Sequence, residues 1–157
     1  MTSIQNEIYI NAPVEQVYEF YTNPDNIKKA WPQDIVKESK NISGQKSEEG
    51  SKMFVKGEHM GQEAEMIVEV TDKEQNKRLV TEQKPGPFKY WKSTQEFNGN
   101  DNNTHVRHSI DYELPTTGKI ANFLSGDQTN KKLKEGLGHA AQTVKQNWNH
   151  LVLVPKK

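Results

Sequence analysis

The sequence contains no cysteine, which excludes disulfide bonds, thiolate nucleophiles and thiolate metal ligands. It has only two arginines, Arg78 and Arg107, and arginine is the preferred residue for bidentate recognition of phosphates and bases. Lysine and arginine together number 21, as do aspartate and glutamate, so no net charge attracts the chain to nucleic acid or an anionic membrane. We therefore expect no nucleic-acid partner.

Long hydrophobic runs are also missing. No stretch approaches the 18 or so apolar residues of a membrane span, and the first residues show neither a basic segment nor an apolar run typical of a signal peptide. We therefore expect no stable membrane insertion and a cytoplasmic location, which also suits a chain without cysteine.

Apolar residues make up only 32% of the sequence, but they are clustered and periodic, which indicates a folded chain rather than a disordered one. The length of 157 residues is that of one ordinary domain. No internal repeat or low-complexity linker divides it, so residues 1–157 are predicted to form a single domain.

The spacing of apolar residues predicts the order of elements. Ile4, Ile8 and Ile10 alternate with polar residues and predict a first strand. Two short helices follow, one after Pro13 and one after the Asn23-Pro24 break. Six strands are then predicted, separated by turns rich in Gly, Pro and Asn, in the ranges 35–42, 52–58, 63–71, 78–84, 89–97 and 106–114.

The C-terminal part has a different period. Apolar residues from Leu133 to Leu151 recur at steps of three and four, which predicts one amphipathic helix of about five turns. Asp127 or Thr129 is the expected cap, and Gly136 and Gly138 allow a bend or a close approach to the helix backbone. The fold class is therefore α+β, with a curved seven-stranded antiparallel sheet wrapped around this helix.

Two segments carry a resemblance to a known superfamily. The opening, IYINAPVEQVYEFYTNPDNIKKAWP, resembles the start of START-like, Bet v 1-like or polyketide cyclase-like (SRPBCC) proteins. The later segment, THVRHSIDYELPTTGKIANFL, resembles a prokaryotic subgroup without an assigned function, whose pattern is Thr-x-Val-x-Asp-x-Val-x-Tyr-x-x-Pro followed by Gly. His108 stands where that pattern has Asp, whereas the matching positions are Thr104, Val106, Ile110, Tyr112, Pro115 and Gly118. The resemblance implies a helix-grip fold with a cavity between sheet and C-terminal helix, in proteins that variously bind lipids, hormones or polyketides, act as cyclases or serve as co-chaperones.

The inward strand face is not purely apolar. Charged residues mark the outer face, so eight polar side chains fall on the inner one, and a polar group buried without a partner costs about 2 kcal/mol or more. A cavity that holds water or a ligand resolves this cost, although hydrogen bonds among these groups or exposure at strand ends are alternatives. The predicted ligand-binding residues are Met53, Met66, Val68, Thr81, Trp91, Ser93, Gln95, His108, Ile110, Tyr112, Leu137, Ala141 and Val144.

Catalysis has one candidate residue, His108, because a general acid or base needs a titratable group in a pocket. No inward Asp or Glu is placed to orient it, and no motif for a nucleophile, a metal or a phosphate is present. His105 and His108 lie at odd spacing on one strand, hence on opposite faces, so no metal site and no cofactor are predicted.

Three functions follow from these observations. The first is a binding or carrier protein for a small hydrophobic molecule, such as a lipid, an isoprenoid or an aromatic, polyketide-like compound. The second is an enzyme of the cyclase or dehydratase kind acting on an aromatic or polyketide-like substrate, an interpretation the sequence supports less well. The third is a protein-interaction or co-chaperone module, for which Phe54, Ile67 and Tyr90 on the outward face are the candidate contact residues.

Overall fold

The computed structural model describes residues 1–33, 35–44, 48–59, 62–115 and 126–153, so that Gly118 of the family pattern lies outside the described residues. It contains seven strands and three helices in these residues, in the predicted order. The strands are β1 Thr2–Ile10, β2 Glu38–Ser43, β3 Lys52–His59, β4 Gln62–Glu74, β5 Arg78–Gln83, β6 Tyr90–Gly99 and β7 Thr104–Glu113. The helices are α1 Val14–Thr22, α2 Pro24–Ala30 and α3 Gly126–Leu153.

The strands form one antiparallel sheet in the order β1-β7-β6-β5-β4-β3-β2. The first strand therefore pairs with the last, and the connection through α1 and α2 carries the chain to the opposite edge of the sheet. This is the curved antiparallel sheet with a C-terminal helix that the sequence predicts, and the α+β helix-grip fold class is confirmed.

Local signals account for the short helices. Asn23 adopts an extended backbone between them, and its side chain accepts a hydrogen bond from the backbone N–H of Asp25 at 3.1 Å. Pro24 occupies the first turn of α2, where its missing N–H is not needed. The Asn-Pro pair thus ends α1 and starts α2 in a new direction, as the sequence indicates.

The solid part of the core lies on one side of the sheet. It comprises the inward residues of β1 and β7, the inner face of α1 and the apolar face of α3, which packs along β1. Its members include Ile10, Val106 and Val144, all fully buried. Trp148 belongs to it as well, but packs edge-on against Phe20 of α1 rather than only onto the sheet.

The long helix differs from its prediction in length and start. It has 28 residues, nearly eight turns, because it begins well before Leu133, the first residue of the apolar stripe, and ends just after Leu151, the last. It begins at Gly126, so the two expected caps, Asp127 and Thr129, lie inside the first turn and the capping prediction is wrong. Strand β2 is also shifted, to Glu38–Ser43, because Ile35 and Val36 belong to the segment that leads into it.

The two helix glycines have different surroundings. A Cβ atom at Gly136 would lie 2.7 Å from Cζ3 of Trp31 and 2.6 Å from Cδ1 of Ile35, closer than real Cβ atoms approach other atoms. A Cβ atom at Gly138 would meet nothing within 4 Å. The close approach to the helix backbone that the sequence allows therefore occurs at Gly136 alone of these two.

This difference predicts opposite effects of alanine at the two glycines. Gly138→Ala should raise the free energy of unfolding by about 1 kcal/mol, because alanine is the better helix former and the space is open. Gly136→Ala should lose that gain, since Trp31 and Ile35 must move to admit the methyl group. Urea unfolding of both variants measures the difference, and equal stabilisation by the two substitutions would contradict the tight packing at Gly136.

Candidate functional site

A cavity of about 230 Å³ lies beside the solid core, under the inner face of β3, β4, β5 and β6. Its roof is formed by the end of α1, by α2 and by Trp31, Ile35 and Val36 of the segment that follows α2, and Phe88 and Leu133 of α3 also line it. The helix α3 therefore contributes little to this cavity. The sheet contributes most of the wall, through residues that alternate inward as the sequence predicts.

Nine of the thirteen predicted ligand-binding residues line this cavity: Met53, Met66, Val68, Thr81, Trp91, Ser93, Gln95, His108 and Ile110. They come from five adjacent strands, β3 to β7, and the register of neighbouring strands brings them together. Their role as ligand contacts stays a prediction.

The other four predicted residues lie elsewhere. Leu137, Ala141 and Val144 line a second, much smaller cavity of about 30 Å³ between α3, α2 and the sheet. Tyr112 packs in the core, with its ring 5.8 Å from that of Phe88 and its hydroxyl donating to Oδ1 of Asn130 at 3.1 Å. The reason is that α3 packs along β1, whereas the larger cavity opens further along the sheet.

The two cavities share a polar centre. His108 lies between Asn6 of β1 and Gln95 of β6 in the strand register, and all three side chains face inward. Nε2 of His108 is 2.8 Å from the hydroxyl oxygen of Ser93, its diagonal neighbour on β6. The ring of Trp31 meets the imidazole edge-on at 6.3 Å between ring centres.

Burial dominates the electrostatics of His108. Removal from bulk water disfavours the charged imidazolium and lowers the pKa of His108 to about 4. The His108 side chain is half-buried and lines both cavities. At neutral pH the imidazole is therefore uncharged, and it can act as a hydrogen-bond donor at one nitrogen and an acceptor at the other.

One edge of the cavity is held by ion pairs. Lys37, which follows the roof segment, contacts Glu58 of β3 at 2.5 Å and Glu63 of β4 at 3.4 Å. The backbone N–H of Lys37 also donates to the carbonyl oxygen of Lys56 at 2.7 Å. These contacts tie the roof segment to the sheet beside Glu58, which itself borders the cavity.

Sequence reasoning missed much of the roof. Tyr21, Ile27, Ile35 and Phe88 all line the cavity but lie outside the strands. The shared helical face of Ile27 and Trp31 is a usable signal for two of the roof residues. Nothing comparable marks Phe88, which lies in a loop and is held there by two hydrogen bonds between its backbone and the Gln83 side chain.

Two kinds of feature are absent from the described residues. No group of three or more His, Cys, Asp or Glu side chains there is arranged to hold a metal ion. None of the helices in this part of the chain is long and apolar enough to cross a membrane.

A seven-stranded curved sheet, two short helices after the first strand, a long C-terminal helix and an internal cavity together define a protein of the START-like, Bet v 1-like and polyketide cyclase-like (SRPBCC) superfamily. Within it, the family described as Activator of Hsp90 ATPase homolog 1-like protein matches residues 11–152. The chain belongs to that family. A search of curated protein sequences found no match.

Solved structures of low sequence identity share the fold. A protein from Thermus thermophilus is 20% identical, with a TM-score of 0.75 over 92% of this chain and 95% of its own. A START superfamily protein from Mycobacterium smegmatis is 16% identical, with a TM-score of 0.74 over 95% and 98%. The Zhui aromatase/cyclase from a Streptomyces species is 12% identical, with a TM-score of 0.74 over 96% and 95%. At these low sequence identities, the three matches show that the fold is shared.

The lowered pKa of His108 predicts a specific dependence of stability on pH. An unfolded histidine takes up a proton near pH 6.5, whereas folded His108 does so only near pH 4, so protons favour the unfolded chain between these values. The stability is fully present above about pH 6.5 and falls as the pH is lowered toward 4, by about 3 kcal/mol in total.

The test compares wild type with His108→Gln, which cannot titrate, by urea unfolding at several pH values between 7 and 4. Carboxylates titrate in both proteins and cancel in the difference between the two unfolding free energies. The advantage of the wild type over the variant should shrink as the pH falls. A difference that stays constant over this range would show that His108 is not shielded from water.

Proposed function

We propose that this protein binds or carries a small hydrophobic molecule in the larger cavity. The observation that supports this most strongly is the cavity itself: about 230 Å³, with walls made mainly of aliphatic and aromatic side chains and a Ser93–His108 hydrogen bond set into them. Ligand sites in proteins have this composition, with apolar walls and a few placed polar groups. The aliphatic and thioether walls, such as Met53 and Met66, adapt to ligands of different shape.

The fold is consistent with this proposal. The matching structures include a START superfamily protein and an aromatase/cyclase, in which the same architecture is used. Fold alone does not choose a function, so the proposal depends on the cavity of this chain and not on the relatives. A cytoplasmic location is part of the proposal, and the lack of cysteine supports it.

A second candidate function is an enzyme of the cyclase or dehydratase kind. The observation that favours it is an uncharged imidazole inside a cavity with a hydroxyl 2.8 Å away, which is a usable general base. A pKa near 4 weakens it as a base, because proton abstraction is most effective when the pKa lies near the working pH. This function predicts that His108→Ala abolishes turnover while binding remains nearly intact.

A third candidate is a protein-interaction or co-chaperone module, which the family description suggests. Phe54 and Ile67 do lie opposite each other on the outer face of β3 and β4, with the Lys40 ammonium 5.5 Å from the centre of the Phe54 ring. Both residues and Tyr90 are half-buried, whereas the large apolar residues that stand exposed among the described side chains are Met1, Tyr9 and Ile42. The outer face therefore supports this candidate less than the cavity supports ligand binding.

Native mass spectrometry of the protein as purified is the first test of ligand binding. A stoichiometric adduct that disappears on denaturation would support the proposal, and extraction followed by identification would give its chemical class. The same preparation, stripped of any adduct, should bind naphthalene in equilibrium dialysis because the cavity walls are apolar. Absence of both an adduct and naphthalene binding would overturn the proposal.

A pair of leucine substitutions tests where the ligand binds. Ala64 faces the cavity from β4, so Ala64→Leu fills part of it and should weaken naphthalene binding about tenfold or more, while stability is unchanged or slightly raised. Glu65→Leu places the same side chain on the exposed outer face of the same strand and should leave affinity unchanged. Equal affinities of the two variants would place the bound molecule outside the cavity.

A further inference from the structure

Charged side chains are scarce in the lining of the larger cavity. Among the described residues that line it there is no lysine and no arginine. Its titratable groups are Tyr21, Glu58 and His108. Burial raises the pKa of the Tyr21 hydroxyl, which therefore stays neutral, and the Glu58 carboxylate already has a cation, since the Lys37 ammonium is 2.5 Å away.

An anionic ligand would therefore find no compensating charge inside. Burying a carboxylate without a cation is costly, and the neutral donors Thr81 and Gln95 can hydrogen-bond to it but cannot cancel its charge. A ligand carboxylate can draw a proton onto His108. Because burial lowers the pKa of His108 well below neutrality, uptake of that proton at pH 7 costs free energy and weakens binding.

The size of the cavity sets a second limit. An apolar cavity of about 150 Å³ is known to hold one benzene molecule. The cavity described above, at about 230 Å³, is roughly half as large again and stays below the usual range for drug-sized ligands. It therefore fits a molecule of about two fused rings, and it is too small for a lipid with long chains.

The Ser93–His108 pair in the cavity wall can hydrogen-bond to either a hydroxyl or a carbonyl oxygen of a ligand. If Nε2 of His108 accepts the Ser93 proton, the Ser93 oxygen still has a free lone pair for a ligand hydroxyl. If Nε2 instead donates to Ser93, the Ser93 O–H is free to donate to a ligand carbonyl. Both arrangements are neutral, so exchange between the two tautomers of His108 needs no charge in the cavity.

Within the ligand-binding function proposed above, we infer that the cavity selects uncharged molecules of about two fused rings that carry a hydroxyl or carbonyl oxygen. That oxygen hydrogen-bonds to the Ser93–His108 pair. The cavity rejects the corresponding carboxylates.

The test is equilibrium dialysis of the full chain at pH 7 with three probes of one size: naphthalene, 2-naphthol and 2-naphthoate. We expect 2-naphthol to bind roughly tenfold tighter than naphthalene, which corresponds to one net hydrogen bond. We expect 2-naphthoate to bind about a hundredfold weaker than 2-naphthol, or not measurably. Equal binding of 2-naphthoate and 2-naphthol would overturn the inference while leaving ligand binding itself in place.

Three variants test whether the Ser93–His108 pair causes the preference for 2-naphthol. Ser93→Ala should keep naphthalene binding and lose most of the 2-naphthol advantage, and His108→Phe should do the same. Thr94→Ala is the control, because it removes a hydroxyl from the next residue of β6, on the outer face. It should leave the affinities for 2-naphthol relative to naphthalene and to 2-naphthoate unchanged. Retention of the 2-naphthol advantage in both Ser93→Ala and His108→Phe would contradict the role of the pair.

The outcomes separate the two proposals. If naphthalene binds but the charged and neutral probes do not differ, only the selectivity is wrong. If none of the three probes binds while thermal unfolding shows an intact protein, the proposed selectivity is overturned. Ligand binding in the cavity is then overturned as well, unless native mass spectrometry has shown an adduct.

Discussion

Two glycines fix the segment on which the cavity depends. A Cβ atom at Gly57 of β3 would collide with the carbonyl oxygen of Ile35, and one at Gly136 of α3 would press on Ile35 and on the Trp31 ring. Ile35 thus lies between the sheet and the long helix at two points of unusually close approach, and Trp31 joins it at the helix. Both residues also line the larger cavity under the inner face of β3–β6.

The polar pair depends on the same arrangement. Trp31 meets His108 edge-on and helps to shield it from bulk water, and this shielding keeps the imidazole neutral. A neutral imidazole can share a proton with Ser93 in either direction, whereas a charged one could only donate. The roof therefore determines both the shape of the site and the chemistry of the oxygen it can bind.

The sequence predicts the order of the elements along the chain, the inward faces of the strands and nine of the residues that line the cavity, because alternation along a strand is a local property. It cannot give the Ser93–His108 contact, which requires the register of β6 against β7 across a polar turn. It also places Leu137, Ala141 and Val144 on the correct face of α3 without showing which part of the sheet that face covers. Phe88 shows the same limit, since side-chain hydrogen bonds from Gln83 and not periodicity hold it against the cavity.

The unfilled volume has an energetic consequence. At about 24 cal/mol per Å³ of apolar cavity, 230 Å³ corresponds to about 5.5 kcal/mol relative to a filled core. That is comparable to the whole stability of many domains, about 5–15 kcal/mol. Larger side chains at Ala64 or Thr81 are an obvious way to remove this cost, so the small residues there favour a site built to be occupied. A bound molecule would restore the lost contacts and stabilise the folded chain by mass action, which links the occupancy of the cavity directly to the stability of the fold.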